Sequence, residues 1–285
     1  MIRDYKVEDK DELIKIIRQG IVIDEQDIFE YFNDDDIKII VYDDSEEGIQ
    51  GFSCVKLWND TEKKADVLLY VIPDARRKGI GTLLYNEIMK QEAGVKLTFI
   101  KTRFRVDKDD ATFFYKGLGY KKWYGMHDLY YNGSVQPKSD LQFVAYEDKY
   151  FEQYAEGLRK SFYEMRKVHD FQPHLCCELN NKKREEFLEN KEQIFLLINN
   201  ETLIASAIVN NSGFLDDIFV IPSYQGKGYG RLITQFAINN AISKGFNKIE
   251  TSVVEWNARA LKLYQSLGFS KIQTTHYYQL VKDEI

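Results

Sequence analysis

The 285-residue chain is long enough for two domains of ordinary size, each with a real core. Hydrophobic residues make up 44% and charged residues 29%, a soluble globular balance that excludes disordered and fibrous classes. A net charge of −6 argues against nucleic acid as a partner, and no apolar run approaches the ~20 residues that cross a bilayer. No basic stretch followed by an apolar one opens the chain, so no secretory signal is expected. Three cysteines, two of them adjacent (Cys176, Cys177), make no disulfide framework, and a reducing cytoplasm is the expected location.

In chain order, Ile2–Tyr5 reads as a first strand. Asp9 then caps a helix, with Glu12 three residues on and Leu13, Ile16 and Ile17 as its apolar stripe. A second helix is expected over Asp24–Phe32. Strands follow at Ile37–Tyr42, Gly51–Leu57 and Asp66–Val71, then a turn over Arg76–Gly81 and a helix with Leu83, Leu84 and Ile88 inward. A strand at Leu97–Thr102, a helix over Asp109–Gly117 and two closing strands, Tyr120–Met126 and Asp128–Tyr131, complete the unit. Asn132–Ser139 has linker chemistry.

The second half starts at Leu141–Ala145, caps a helix with Asp148 and packs it through Phe151, Tyr154 and Leu158. A longer segment follows, holding His169, Asp170, Phe171, Pro173, His174, Cys176 and Cys177. Strands are expected at Ile194–Ile198, Leu203–Val209 and Phe214–Ile221. After them come a helix over Gly230–Ser243, a strand at Lys248–Val254, a helix over Asn257–Leu267 and closing strands at Ser270–Thr274 and His276–Val281. This order predicts an α/β fold of two tandem domains, 1–135 and 140–285, each a mixed, mostly antiparallel sheet flanked by helices.

Within the second half, Leu215–Arg231 concentrates the chemistry. A strand stops at Pro222, which has no N–H to give a ladder, and glycines at 226, 228 and 230 strip side chains from a turn that opens a helix. Exposed backbone N–H groups at the positive end of a helix dipole form an anion site. A solvated, flexible turn is the plainer alternative. A P-loop would need Ser or Thr after its Gly-Lys pair, and a dinucleotide fingerprint would need a third glycine where Ile233 stands. The pattern recurs at Val71–Gly81 with a constant offset of 149 residues. From 71–120 against 220–269, thirteen of fifty positions are identical, Pro73/Pro222, Gly79/Gly228, Gly81/Gly230 and Tyr115/Tyr264 among them. Unrelated stretches of ordinary composition would share roughly three. The chain is a tandem duplication.

The Gln225-x-x-Gly228-x-Gly230 turn behind a strand ending in Pro222 resembles the coenzyme A loop of the GNAT superfamily of N-acetyltransferases. Asn257-x-x-Ala260-x-x-x-Tyr264-x-x-x-Gly268-Phe269 resembles that family's second motif. The resemblance implies a sheet splayed between its fourth and fifth strands in each domain, with pantetheine lying in the splay. It implies that acetyl-CoA is held by Ile218, Phe219, Val220, Gln225, Gly226, Lys227, Gly228, Tyr229, Gly230 and Asn257. In the first copy the corresponding residues are Leu69, Val71, Arg76, Arg77, Lys78, Gly79, Ile80 and Gly81. Tyr264 is implied as general acid, a phenol that protonates the departing thiolate, though a core tyrosine would stand there equally. Asn257 binds coenzyme or caps its own helix.

For the base that deprotonates the amine, Asp216 and Asp217 are candidates; strict alternation puts them on opposite faces, so only one reaches the acyl centre. Glu250 and Glu255 are further candidates. The first copy has Val67, Leu68 and Lys108 where the second has Asp216, Asp217 and Asn257, so it is expected to bind coenzyme or serve structure with degenerate catalysis. His169, His174, Cys176 and Cys177 match no zinc spacing, and no metal is expected. The segment that holds them is implied to wall the acceptor pocket. The expected activity is direct acetyl transfer from acetyl-CoA to a primary amine, of a small molecule or a peptide, without nucleic acid or membrane partners. A non-catalytic acyl-CoA sensor or interaction module is the alternative. Neither acceptor nor oligomeric state is legible.

Overall fold

The computed structural model describes residues 1–20, 32, 34, 36–58, 64–91, 97–108 and 110–281. The chain forms two units, Met1–Gly125 with Thr274–Ile285, and Met126–Gln273. The helix expected over 24–32 lies, apart from Phe32, outside the described residues.

In unit 1, strands β1 (Ile2–Asp4), β2 (Ile37–Asp44), β3 (Gly48–Trp58), β4 (Lys64–Val71) and β5 (Phe99–Arg105) lie side by side in that order. The last strand of the chain, β12 (Ser270–Val281), closes the sheet by pairing Thr275–Val281 with Phe99–Arg105. Among the described strands of unit 1 only β4 and β5 run parallel, and they pair over three residues, Lys64–Asp66 against Phe99–Lys101, before parting. Helix α1 (Lys10–Gly20) buries Leu13, Ile16 and Ile17, its one apolar stripe, against Phe52, Leu68 and Tyr70 on one face. Helices α2 (Ile80–Gln91) and α3 (Thr112–Gly117) cover the other face through Leu84, Ile88 and Tyr115.

Unit 2 repeats the plan with β7 (Phe143–Ala145), β8 (Ile194–Asn199), β9 (Thr202–Val209), β10 (Phe214–Val220) and β11 (Ile249–Val254). It is closed by β6 (Lys121–Tyr131), whose residues Met126–Tyr131 pair antiparallel with β11. The parallel pair β10–β11 is registered only at Phe214–Leu215 against Glu250–Thr251. Helices α4 (Phe151–Val168) and α5 (Asn181–Glu189) cover one face; α6 (Tyr229–Ser243) and α7 (Ala258–Ser266) cover the other. Helix α4 comes close to the sheet at Gly157, where a Cβ would stand 2.5 Å from Ile221 Cδ1 and 3.1 Å from Phe219 Cε2.

Several local expectations are corrected. Each pair of closing strands is one continuous strand, because Gly125 stays extended and nothing at 126–127 or 274–275 favours a turn. The spatial units therefore depart from the halves 1–135 and 140–285: residues 126–131 belong to unit 2 and 274–281 to unit 1. Asp9 does not cap α1. Its carboxylate accepts from Arg3 Nη1 and Nη2 at 2.7 and 2.9 Å and from the Lys6 N–H at 2.8 Å, which holds it below the usual carboxylate range. Glu12 instead accepts the Ile49 N–H at 3.0 Å. Asp148 sits in a 3-10 turn and pairs with Arg184 of α5. Helix α5 itself was not foreseen, although Asn180 caps it by accepting the Lys183 N–H at 2.8 Å.

Candidate active site

The site of unit 2 begins with an irregular strand. Strand β10 faces β9 in one register at Leu215↔Val209 and Asp216↔Ile208, then in another at Phe219↔Ser206 and Val220↔Ala205. One extra residue is inserted between, a β-bulge, and Asp217 takes φ +41° there. The bulge reverses the alternation. Leu215 packs toward α6 and α7, whereas Phe219 joins Tyr154 and Phe187 on the α4 face. The expected opposition of Asp216 and Asp217 as strict strand neighbours does not carry across this kink. Asp216 is exposed and its Oδ1 accepts the Asp217 N–H at 2.8 Å. Asp217 is half-buried, and its charge acts on Tyr154, Cys176 and Cys177 of the α4–α5 face. Burial, then the neighbouring Asp216, pushes its carboxyl up to about 6.

Beyond Leu215 and Thr251 the two strands are no longer paired, so the β11 side of Ile218, Phe219 and Val220 is an open backbone edge. Pro222 then opens a 3-10 turn, and Gly226 and Gly228 follow at φ +78° and +89°. A Cβ at either would meet nothing within 4 Å, so these two positions are glycine for backbone conformation. Gly230 differs: its φ is not positive, and a Cβ there would make ordinary contacts, 3.6 Å from Leu263 and 3.8 Å from Val220. None of the N–H groups of 226–230 meets a protein acceptor among the described residues. Gln225 braces this mouth from below, its Nε2 donating to the Val220 carbonyl at 3.0 Å. Lys227 lies 5.2 Å over the Tyr224 ring. Tyr229 and Ile218 pack on the core that α6 shares with the sheet.

Tyr264 enters the same splay from α7. It is 7% exposed, and burial pushes its phenol up to about 12, with the neighbouring Thr251 hydroxyl drawing it part of the way back. Thr251 in turn donates to the Leu215 carbonyl at 2.9 Å, at the point where the strands part. Asp216 is near enough to add to the rise at Tyr264. Tyr264 and Asp217 thus approach the splay from the two faces of the sheet. Asn257 caps α7, its Oδ1 accepting the Ala260 N–H at 3.1 Å, which is the structural of the two roles foreseen. Glu250 pairs with Lys248, away from the reacting edge.

Unit 1 keeps the turn and lacks the bulge. Strands β3 and β4 hold one register from Gly51↔Val71 to Trp58↔Lys64. Before the bulge the repeat offset is 148, since Asp66 faces Lys101 as Phe214 faces Glu250; after it the offset is 149. The comparison of Val67 and Leu68 with Asp216 and Asp217 is therefore corrected: it crosses an inserted residue. Leu69, Val71, Arg76, Arg77, Gly79, Ile80 and Gly81 line a cavity of about 550 Å³, with Lys78 exposed outside it. Arg76 Nε donates to the Val71 carbonyl at 2.8 Å, the counterpart of the Gln225 brace. Tyr115 is 2% exposed and stacks on Phe104 at 5.4 Å, deep in the core.

The model of the acetyltransferase (GNAT) family matches residues 151–269, and that of the acetyltransferase (GNAT) domain matches residues 35–122. The chain belongs to the GNAT family, with two GNAT domains in tandem. Thialysine N-epsilon-acetyltransferase of Bos taurus is 40% identical over 55 residues, which cover 19% of this chain and 32% of that protein. Ribosomal protein bS18-alanine N-acetyltransferase of Haemophilus influenzae is 32% identical over 103 residues, 35% of this chain and 66% of that protein. A GCN5-related N-acetyltransferase from Sphaerobacter thermophilus superposes with a TM-score of 0.71 at 13% identity, over 99% of this chain and 95% of that one, a likeness of fold. The chain spans about a third of the length of the first curated relatives it matches, 32% for the Bos taurus protein.

Against the GNAT plan, the segment after α4 adds features the sequence did not reveal. His169 stacks on Trp256 at 4.3 Å and 8°, and Phe171 meets the same indole edge-on at 5.9 Å. Trp256 directly precedes the Asn257 cap, so this aromatic group stands beside the mouth of the splay; a tryptophan at a strand–helix junction was the available signal. His174 pairs with Asp170 at 3.2 Å, and no metal-binding group of three or more occurs among the described residues. His127 and His276 lie within β6 and β12. Among the described residues, no helix is long and apolar enough to cross a membrane.

Proposed function

We propose that the chain is an N-acetyltransferase that moves an acetyl group from acetyl-CoA to a primary amine at unit 2, with unit 1 holding coenzyme without catalysing transfer. The observation that carries this is the β10 bulge: it supplies a kinked, unpaired backbone edge beside the bare turn of 226–230, and unit 1 has the turn without the bulge. Acetyl-CoA supplies the thioester and a thiol leaving group. The N–H groups of 226–230 hold its diphosphate, each charge-assisted bond contributing roughly 1.5–3 kcal/mol. The open edge of Ile218–Val220 orients the pantetheine arm as an added strand and polarises the thioester carbonyl.

An amine arrives protonated. Asp217, with its carboxyl raised to about 6, is ionised at neutral pH yet basic enough to take that proton, directly or through water. Tyr264, held protonated by burial, gives its proton to the sulfur as the thiolate leaves. Delivery from opposite faces of the sheet suits direct transfer in a ternary complex, and no cysteine lies in the turn or in the helix motif. Two carboxylates at the splay suit a cationic acceptor. Relatives named for thialysine and for an alanine of a ribosomal protein support an amine without choosing between a small molecule and a peptide. Three free cysteines support a reducing, cytoplasmic setting.

Thiol release from acetyl-CoA over a broad amine panel tests this reading. Tyr264→Phe should lower kcat by about 10²-fold or more, with coenzyme affinity kept. Unchanged turnover at every pH would remove Tyr264 from the mechanism. Coenzyme binding without thiol release for any amine would favour the sensor alternative.

A further inference from the structure

Helix α3 of unit 1 carries three aromatic residues in a row, and each goes a different way. Tyr115 is buried in the core. Phe114 lies against the start of α2, where a Cβ on Gly81 would stand 3.4 Å from its Cε2. Phe113, about 100° further round the helix, is left 82% exposed. A single exposed phenyl ring is ordinary on a protein surface. This one lines the same cavity of about 550 Å³ as Arg77, Gly79 and Gly81 of the turn, so it borders the ligand that the turn holds.

Unit 2 differs at the same place. With the offset of 149, Phe113, Phe114 and Tyr115 stand where α7 has Lys262, Leu263 and Tyr264. The second and third keep their packing: Leu263 lies 3.6 Å from a Cβ on Gly230, as Phe114 lies 3.4 Å from one on Gly81, and both tyrosines are buried. The first changes from an exposed lysine to an exposed ring. Packing shared by the two units therefore does not call for Phe113.

The turn fixes which part of a ligand reaches that ring. Val71 ends the strand that enters the turn, and Gly81 belongs to the helix that leaves it. A pantetheine arm lying along the β4 edge leaves the diphosphate on the strand side. Phe114 touches the helix side, at Gly81, so Phe113 beside it meets the group at the other end of the diphosphate. In coenzyme A that group is adenosine. A purine has a flat face, and base–aromatic stacking needs a ring and no charged partner.

We infer that unit 1 holds coenzyme A by its nucleotide end, with the adenine ring stacked on Phe113. This rests on the coenzyme-binding reading of unit 1. Lys262, at the matched place of unit 2, offers no such face.

The test is calorimetric titration of coenzyme A into the full chain carrying Gly228→Val, which forces a β-branched residue into φ +89° and disables the unit 2 turn. Coenzyme A should bind this parent at one site, and adding Phe113→Ala should weaken it about tenfold. Phe113→Trp should keep the affinity within about twofold or tighten it, since an indole offers a larger face. The ultraviolet absorbance of adenine should fall when coenzyme A binds the parent, and should not fall when it saturates the Ala variant. Because the ring is exposed, the urea midpoint should not move. Unchanged affinity in Phe113→Ala would overturn the inference and leave coenzyme binding standing. Weaker affinity with the absorbance change kept would set the ring against another part of the coenzyme and overturn it as well. A midpoint lowered together with affinity would make Phe113 a packing residue instead. Failure of coenzyme A to bind the parent would overturn the underlying reading.

Discussion

The raised carboxyl of Asp217 makes a prediction about stability as well as rate. Desolvation beside Asp216 moves it from the ordinary carboxylate range, near 4, to about 6, so the folded state binds this proton more tightly than the unfolded chain does. The sign is the reverse of a salt-bridged carboxylate. Stability is unpenalised below about pH 4, falls as pH rises toward about 6, and stays lower above it. Two pH decades at about 1.4 kcal/mol each give a cost of about 3 kcal/mol at neutral pH, an upper figure for a side chain that keeps some exposure. Asp217→Asn removes the charge and keeps a side chain that tolerates the positive φ of the bulge. Urea denaturation of the two proteins should coincide near pH 4 and separate to about 2–3 kcal/mol in favour of the variant near pH 8. The variant should also lose the acid limb near pH 6 from kcat/KM, at a much reduced rate. A stability difference independent of pH, or a variant less stable near pH 8, would refute the burial argument. An intact acid limb would refute the base assignment.

Deleting Asp217 should give β10 the unbroken register of β4; circular dichroism should show a folded chain, and thiol release should be lost while coenzyme affinity changes less. Gly157→Leu should destabilise unit 2 by about 3 kcal/mol, because its side chain would enter space held by Ile221 and Phe219; an unshifted denaturation midpoint would contradict this packing. Tyr278→Ala, at a site 2% exposed on the strand that closes unit 1, should cost about 3–5 kcal/mol and weaken coenzyme binding at unit 1 with unit 2 turnover kept. Loss of unit 2 turnover with unit 1 binding unaffected would place that strand in the wrong unit.

Much of this architecture was legible because it depends on backbone chemistry that few residues can supply. A proline that ends a strand, glycines where φ is positive and an Asn that caps a helix each have narrow alternatives, so Pro222, Gly226, Gly228 and Asn257 announced their geometry. The internal repeat was legible for the same reason, since duplicated turns retain duplicated glycines. The closing strands were less so. Whether a strand folds back or runs on at residue 126 depends on which neighbour offers a free edge, and β5 and β11 are far from their partners in sequence. Asp9 was misread because its pattern fits a cap, while a guanidinium from β1 offered two stronger bonds.

The bulge was the least legible feature, and it is the one that separates the two units. An identity match without gaps runs from 71 and 220 onward, and the extra residue lies just upstream of both, among side chains with no identity to mark a gap. Only the strand registers expose it, through the change of offset from 148 to 149. One inserted residue turns Phe219 to the other face, gives Asp217 a left-handed backbone and frees the strand edge beside the turn. On the proposed reading the turn that both units share is a coenzyme grip, and the single added residue in β10 makes one of those grips a place where the proposed transfer chemistry is assembled.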